Sequence, residues 1–157
     1  MHIREMMTDW SKGDGLRLFW RLFQWRGRIS SKLLQDILTL FLYRMAHRHG
    51  GYIGRDAVIQ GRPVLPHGLH GIYISRYATI GSGCRIYQNV TIGEVGRKAP
   101  QIGDHCLIGA GAILVGDIRI GNDVKIGAGA VVHTDIPDFC TVVAQTPRVI
   151  VQAGEPT

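Results

Sequence analysis

Cysteine is scarce in this chain: Cys84, Cys106 and Cys140 are the only three among 157 residues. Three is an odd number, and no pair shows the spacing of a metal-binding cluster, so a disulfide framework and a cysteine-held metal are both disfavoured. They read instead as small packed hydrophobes in a reducing compartment. Acidic residues are also few, 12 against 18 Lys and Arg, which leaves a net charge of +6. That balance disfavours a cationic partner and leaves phosphorylated cofactors, nucleic acid and a membrane surface open. No apolar run reaches the roughly 18 residues of a membrane span. No apolar segment at the start leads to a small-residue cleavage site, so a cytoplasmic protein is expected. The length suits one small domain.

Glycine, by contrast, is plentiful at 21 residues, and its placement is regular. Aliphatic residues recur every six positions: Ile53, Ile59 and Leu65; then Ile74, Ile80, Ile86 and Ile92; then Ile102, Ile108, Leu114, Ile120, Ile126 and Val132. Gly or a small polar residue follows most of them. Four places on there is often a small side chain, as at Ala57, Ala78, Cys84, Cys106, Ala112 and Ala130. A helix asks for apolar residues every three to four positions and a strand for every second one. A period of six fits a prism, in which each hexad is one short flat side and glycine turns the corner. The fold class is therefore an all-β solenoid, preceded by a short helical segment.

The repeat breaks twice. From Leu65 to Ile74 the step is nine, and the extra residues lie in Pro66-His67-Gly68-Leu69-His70-Gly71. From Ile92 to Ile102 it is ten, around Glu94-Val95-Gly96-Arg97-Lys98-Ala99-Pro100. A solenoid interior forbids irregularity, so insertions leave from a face, often the binding face. Residues 1–50 lack the hexad step. Leu16–Trp25 and Leu33–Met45 carry helical spacing, with Ser30 or Ser31 as N-cap and Gly50-Gly51 as stop. Residues 1–50 are read as a helical segment and 51–157 as the solenoid with a tail. The first helix, rich in Trp, Phe and Arg, either covers the open end of the coil or packs on a neighbouring subunit, or lies on a membrane surface.

From Arg62 to Ile150 the chain resembles the left-handed β-helix acyltransferases, also called hexapeptide-repeat transferases. The matching pieces are LPHGLHGIYIS (65–75), IYQNVTIG (86–93), IGAGAILVGDIRIG (108–121), KIGAGAVV (125–132) and PRVI (147–150). Within that family the stretch is most similar to serine acetyltransferase and its short relatives encoded among polysaccharide-synthesis genes. The resemblance implies a left-handed three-sided prism, a homotrimer with active sites between subunits, and acetyl-CoA as cosubstrate without a metal.

Moving acetyl from a thioester to an alcohol needs a base for the hydroxyl proton, and histidine suits that role near neutral pH. It also needs donors for the developing oxyanion, which backbone N–H groups supply. No Gly-x-Ser-x-Gly elbow or Cys–His arrangement points to a covalent acyl-enzyme, so transfer is expected to be direct. The resemblance places the catalytic histidine at His67; spacing alone leaves His70 as the alternative base or as lining of the acceptor pocket. Tyr87, Gln88 and Lys98 are further acceptor-side candidates, with a corner hydrogen bond as the rival role for Gln88. The cofactor contacts implied by the resemblance are Gly93, Ala110, Lys125, Ala128, Thr134 and Arg148. For Lys125 and Arg148 an ordinary solvated charge is the competing reading. His133 lies where family members contact the cofactor, while His47, His49 and His105 read as surface residues.

The chain departs from the serine enzymes where those bind serine's two charges. Pro66 replaces the Asp before the catalytic His, and Lys98-Ala99-Pro100 replaces Arg-His-Pro. A zwitterion needs paired charges, so the expected acceptor is a sugar, sugar nucleotide or glycan, with serine as the alternative. From another class, the chain would be a non-catalytic trimeric scaffold, which has no use for two histidines in an insertion. Nucleic-acid binding is disfavoured because the basic residues are scattered and lack a stacking platform.

Overall fold

A computed structural model describes residues 16–146. Two helices, α1 (Arg17–Arg26) and α2 (Lys32–Arg48), precede a coil of short strands. In α1 the residues Leu16, Phe19, Trp20 and Phe23 fall on one face by their spacing, and all four are buried. Phe19 meets Trp20 edge-on with ring centroids 5.3 Å apart, and Trp20 meets Phe23 at 5.7 Å. These rings join the same hydrophobic core as the coil. The buried face of this helix is thus packed inside the molecule, while Leu18 and Trp25 on its other side are about half exposed. Arg26 ties the pieces together: its guanidinium donates to Thr39 Oγ1 of α2 and to the Arg55 carbonyl of the first coil. Burial pulls its pKa below the usual arginine value.

Ser31 occupies the N-cap of α2 but makes no side-chain capping bond. The other end is closed more firmly. Gly50 takes φ +66°, its N–H donates to the His47 carbonyl at 2.9 Å, and Gly51 N–H donates to Ala46 at 3.0 Å. That pair of bonds is the Schellman closure, which needs a left-handed residue. The chain then enters the coil directly.

The strands form three parallel sheets, one per side of the prism. The first side holds β1 (Tyr52–Ile53), β3 (Tyr73–Ile74), β6 (Thr91–Gly93), β9 (Ile113–Val115) and β12 (Val131–Val132). The second holds β2 (Val58–Ile59), β4 (Thr79–Ile80), β7 (Gln101–Ile102) and β10 (Arg119–Ile120). The third holds β5 (Arg85–Ile86), β8 (Leu107–Ile108), β11 (Lys125–Ile126) and β13 (Thr141–Val142). The architecture is a left-handed parallel β-helix. Ile stacks on Ile in the register, as in Ile74 on Ile92 and Ile86 on Ile108. Of the thirteen hexad positions, Ile59 and Leu65 alone are half-buried; the rest are at most 3% exposed. Both exceptions lie in the first coil, which has a neighbouring coil on one side only. The repeat also runs past Val132: Ile136 bridges Ile120 and β13 pairs with β11, after a corner two residues shorter than usual.

Corners are fixed by hydrogen bonds between coils. Between the second and third sides, Ser82 N–H donates to Asp104 Oδ1, Asp104 N–H to Asn122 Oδ1 and Asn122 N–H to Asp138 Oδ1, at 2.7–2.8 Å. Gly103 has no room for a side chain there, since a Cβ would lie 2.6 Å from Asn122 Oδ1. The inward Cys84 and Cys106 donate to carbonyls of the next coil. Contact with Cys106 and burial push the Cys84 thiol up, so it stays protonated as a packing group.

Candidate functional site at one edge of the prism

The edge between the third and first sides gathers most of the residues singled out from the sequence. Each coil contributes its corner. The first coil supplies the insertion 66–71, the second Tyr87-Gln88-Asn89, the third Gly109-Ala110-Gly111 and the fourth Gly127-Ala128-Gly129. They stack because Gln88, Ala110 and Ala128 each follow an inward Ile by two residues, and the coils are in register. Backbone bonds rivet the column: Asn89 N–H to the His70 carbonyl at 2.9 Å, Gly111 N–H to Gln88 at 3.0 Å, Gly129 N–H to Ala110 at 2.9 Å. Left-handed conformations at Asn89, Gly111 and Gly129 make the turn.

His67 sits at the head of this column, exposed, with its ring 6.0 Å from that of Tyr87. Between the two histidines Leu69 is fully buried and acts as the anchor of the insertion. Gly71, at φ +66°, lies so close to Asn89 that a Cβ would strike the Asn89 side chain. Gln88 Oε1 is buried and, among the described residues, has no hydrogen-bond partner. Lower in the column, the N–H groups of Ala110 and Ala128 find no acceptor among the described residues. Unpaired donors and acceptors in a row along one edge suit an extended amide-containing ligand.

The remaining candidates lie elsewhere. Gly93 ends β6, and Lys98 and Thr134 are exposed at the edge between the first and second sides. The second insertion is a tight hairpin: Val95 and Lys98 exchange backbone bonds of 2.8 and 3.1 Å around Gly96 and Arg97, both at positive φ. Lys98 Nζ forms an ion pair with Asp117, and Glu94 accepts from Ser75 Oγ. Lys125 is exposed on the third side, in a shallow depression with Arg85, Asp123 and Thr141. Arg148 lies outside the described residues. No group of His, Cys, Asp and Glu suited to a metal occurs among the described residues.

One residue read as surface from the sequence is not simply surface. His49, at the C-cap of α2, packs edge-on against His70 with ring centroids 6.2 Å apart. The contact has no sequence signal, because it joins a helix end to an insertion about twenty positions away. Tyr43 of α2 packs at a tilt against Tyr52, with ring centroids 5.3 Å apart, and Tyr52 stacks on Tyr73 at 4.9 Å. Burial, helped by Tyr43, pushes the Tyr52 phenol up to about 12.

Residues 99–134 match the family described as bacterial transferase hexapeptide (six repeats). A serine acetyltransferase of Staphylococcus epidermidis is 33% identical over 160 residues, covering 96% of this chain and 70% of the relative. One from Synechococcus elongatus is 36% identical, covering 85% of this chain and 53% of its own length. The chain thus spans between about half and two thirds of several curated relatives it matches. Among solved structures, Neisseria gonorrhoeae serine acetyltransferase in complex with serine aligns at a TM-score of 0.68 and 33% identity, covering 81% of this chain and 53% of that one. Brucella abortus serine acetyltransferase aligns at 0.72 and 26%, covering 87% and 57%. These relatives reverse the order of the acceptor readings: serine, the alternative, fits them better than a sugar or glycan. A place in polysaccharide synthesis and a peripheral membrane contact gain no support from them. Among the described residues, no helix is long and apolar enough to cross a membrane.

Proposed function

The chain belongs to the serine acetyltransferase family, and on that premise we propose that it is an acetyl-CoA-dependent O-acetyltransferase with serine as its acceptor. The observation that carries the reading is the stack itself. A histidine in an insertion heads a column whose lower corners expose unpaired backbone N–H groups. His67 takes the proton of the serine hydroxyl as its oxygen bonds to the acetyl carbon. The carbon–sulfur bond then breaks, and the thiolate leaves with the proton that His67 returns. The charge that builds on the thioester oxygen needs a donor within hydrogen-bond reach, a role backbone N–H groups serve in a water-poor site. Ala110 and Ala128 would hold amides of the pantetheine arm. Lys125, with Arg148 beyond the described residues, would meet the phosphates.

The homotrimer belongs to the same proposal. Apart from Lys125 on the third side and Arg148 outside the described residues, the candidate residues divide between the two edges that flank the first side, so a single groove needs a second copy to bring the edges together. The first side also presents apolar surface, with Val131 60% and Ile113 39% exposed. Sedimentation should give a trimer at micromolar concentration; a monomer would remove this part.

His67→Ala should lower kcat by two to four orders of magnitude, the usual range for a general base, with the KM for acetyl-CoA unchanged. If His70→Ala has that effect and His67→Ala does not, the base is His70; if neither matters, the acetyltransferase reading fails. A second reading, a neutral hydroxyl acceptor, rests on Pro66 standing before His67 and on Lys98 being engaged by Asp117. Free thiol released with serine against a panel of sugars decides between them.

A further inference from the structure

The helical hairpin does more than cover the end of the coil. Its last residue reaches the histidine insertion, and three contacts fix it there. Gly71 N–H donates to the Gly50 carbonyl at 3.2 Å. Gly51 runs so close to Leu69 that a side chain on it would collide with the Leu69 carbonyl. The His49 ring meets the His70 ring edge-on at 6.2 Å, with an interplanar angle of 78°. His49 is half-buried and His70 exposed, so the pair opens to solvent on one side. Several peptide groups around it are engaged: the His49 and Gly50 N–H groups close the helix, and the His70 carbonyl accepts from Asn89. Among the described residues neither imidazole has a hydrogen-bond partner.

Resting on serine as acceptor, we propose that His49 and His70 together bind the acceptor's carboxylate. An imidazole offers an N–H donor whether neutral or charged, and two imidazoles in contact at one corner offer a donor for each oxygen of one carboxylate, each bond about 2.8 Å long. His70 stands in the same short insertion as His67, three residues away, and His49 meets it from the end of α2, so the anchored end of a small amino acid would lie at the insertion that carries the base. This also accounts for an acceptor site without a free lysine, since Lys98 is committed to Asp117.

The test compares serine with serinol, in which the carboxylate is replaced by a neutral hydroxymethyl group. His49 has φ −96°, open to any L residue, so His49→Ala should fold, and an unchanged melting temperature and trimer mass confirm it. His49→Ala and His70→Ala should each raise the KM for serine about tenfold or more. In His49→Ala, turnover of serinol and the KM for acetyl-CoA should stay within about twofold of wild type, and His49→Arg should restore the preference for serine. Equal losses on serine and serinol would reduce His49 to a packing residue and overturn the proposal, as would a loss confined to His70→Ala. A wild-type enzyme that turns over a sugar but not serine would show that the acceptor reading itself had failed, before any variant is made.

Discussion

The two insertions in the repeat are nearly equal in length and are held in opposite ways. Residues 66–71 are fixed from outside: Leu69 is buried in the core, the His70 carbonyl is bonded to the second coil, and Gly71 is bonded to the end of α2. Residues 94–99 are shaped from within, by the Val95–Lys98 hairpin and its two positive-φ residues, and are tied to the coil at their base by Glu94 accepting from Ser75 Oγ and by buried Ala99, with an exposed ion pair to Asp117. A loop clamped on both flanks can hold a histidine in one place relative to neighbouring coils. A hairpin held at its base keeps its own shape, but its tip is weakly tied to the surface beneath. On the proposed reading, that difference favours the histidine insertion as the platform for chemistry.

That contrast is broken most severely at the anchor. Leu69→Ala should cost about 2–5 kcal/mol, the range for a large-to-small change in a packed core, and should depress kcat as the loop loses its seat. Val95→Ala, at a residue 62% exposed, should change stability by no more than about 0.5 kcal/mol. Thermal melts of the two variants make the comparison, and equal losses would show that the loops are held alike. A smaller effect is expected at Gly71. Gly71→Ala must place a side chain at φ +66° and against Asn89, which should cost at least about 1–2 kcal/mol. Asn89 is itself left-handed, so Asn89→Gly is tolerated there. The double variant should recover the clash but not the backbone strain, and a fully additive cycle would refute the contact. A small effect is also expected for Lys98→Ala: the ion pair with Asp117 is well exposed, so the loss should lie within about 0–1 kcal/mol and vanish at high salt. A rise in the KM for serine without a change in melting temperature would instead assign Lys98 to the acceptor.

Much of this was legible in the sequence, and the particular residues show why. A period of six names the inward face, so Ile108 and Ile126 could be assigned to the core without coordinates. The same arithmetic put Gln88, Ala110 and Ala128 at equivalent places in their hexads. Ile136 and Val142 escaped because a corner shortened by two residues takes them out of step. Ser31 carried the composition of a helix cap but makes no capping bond, since residue type sets a preference and not a contact. The order of the acceptor readings changed for a similar reason: Pro66 and Ala99 told what was missing from a known charge pattern, whereas the relatives fit serine better than a sugar.

By itself, then, the sequence determined the solenoid, its inward column and the corners at which histidines and glycines stand, because hexad geometry is local and each repeat restates it. Only the tertiary structure decided which corners share an edge, that Lys98 is tied to Asp117, and that His49 meets His70. Those contacts join segments about twenty residues apart, across a helix end or a full turn of the coil. A solvent-facing side chain carries no period that could announce them.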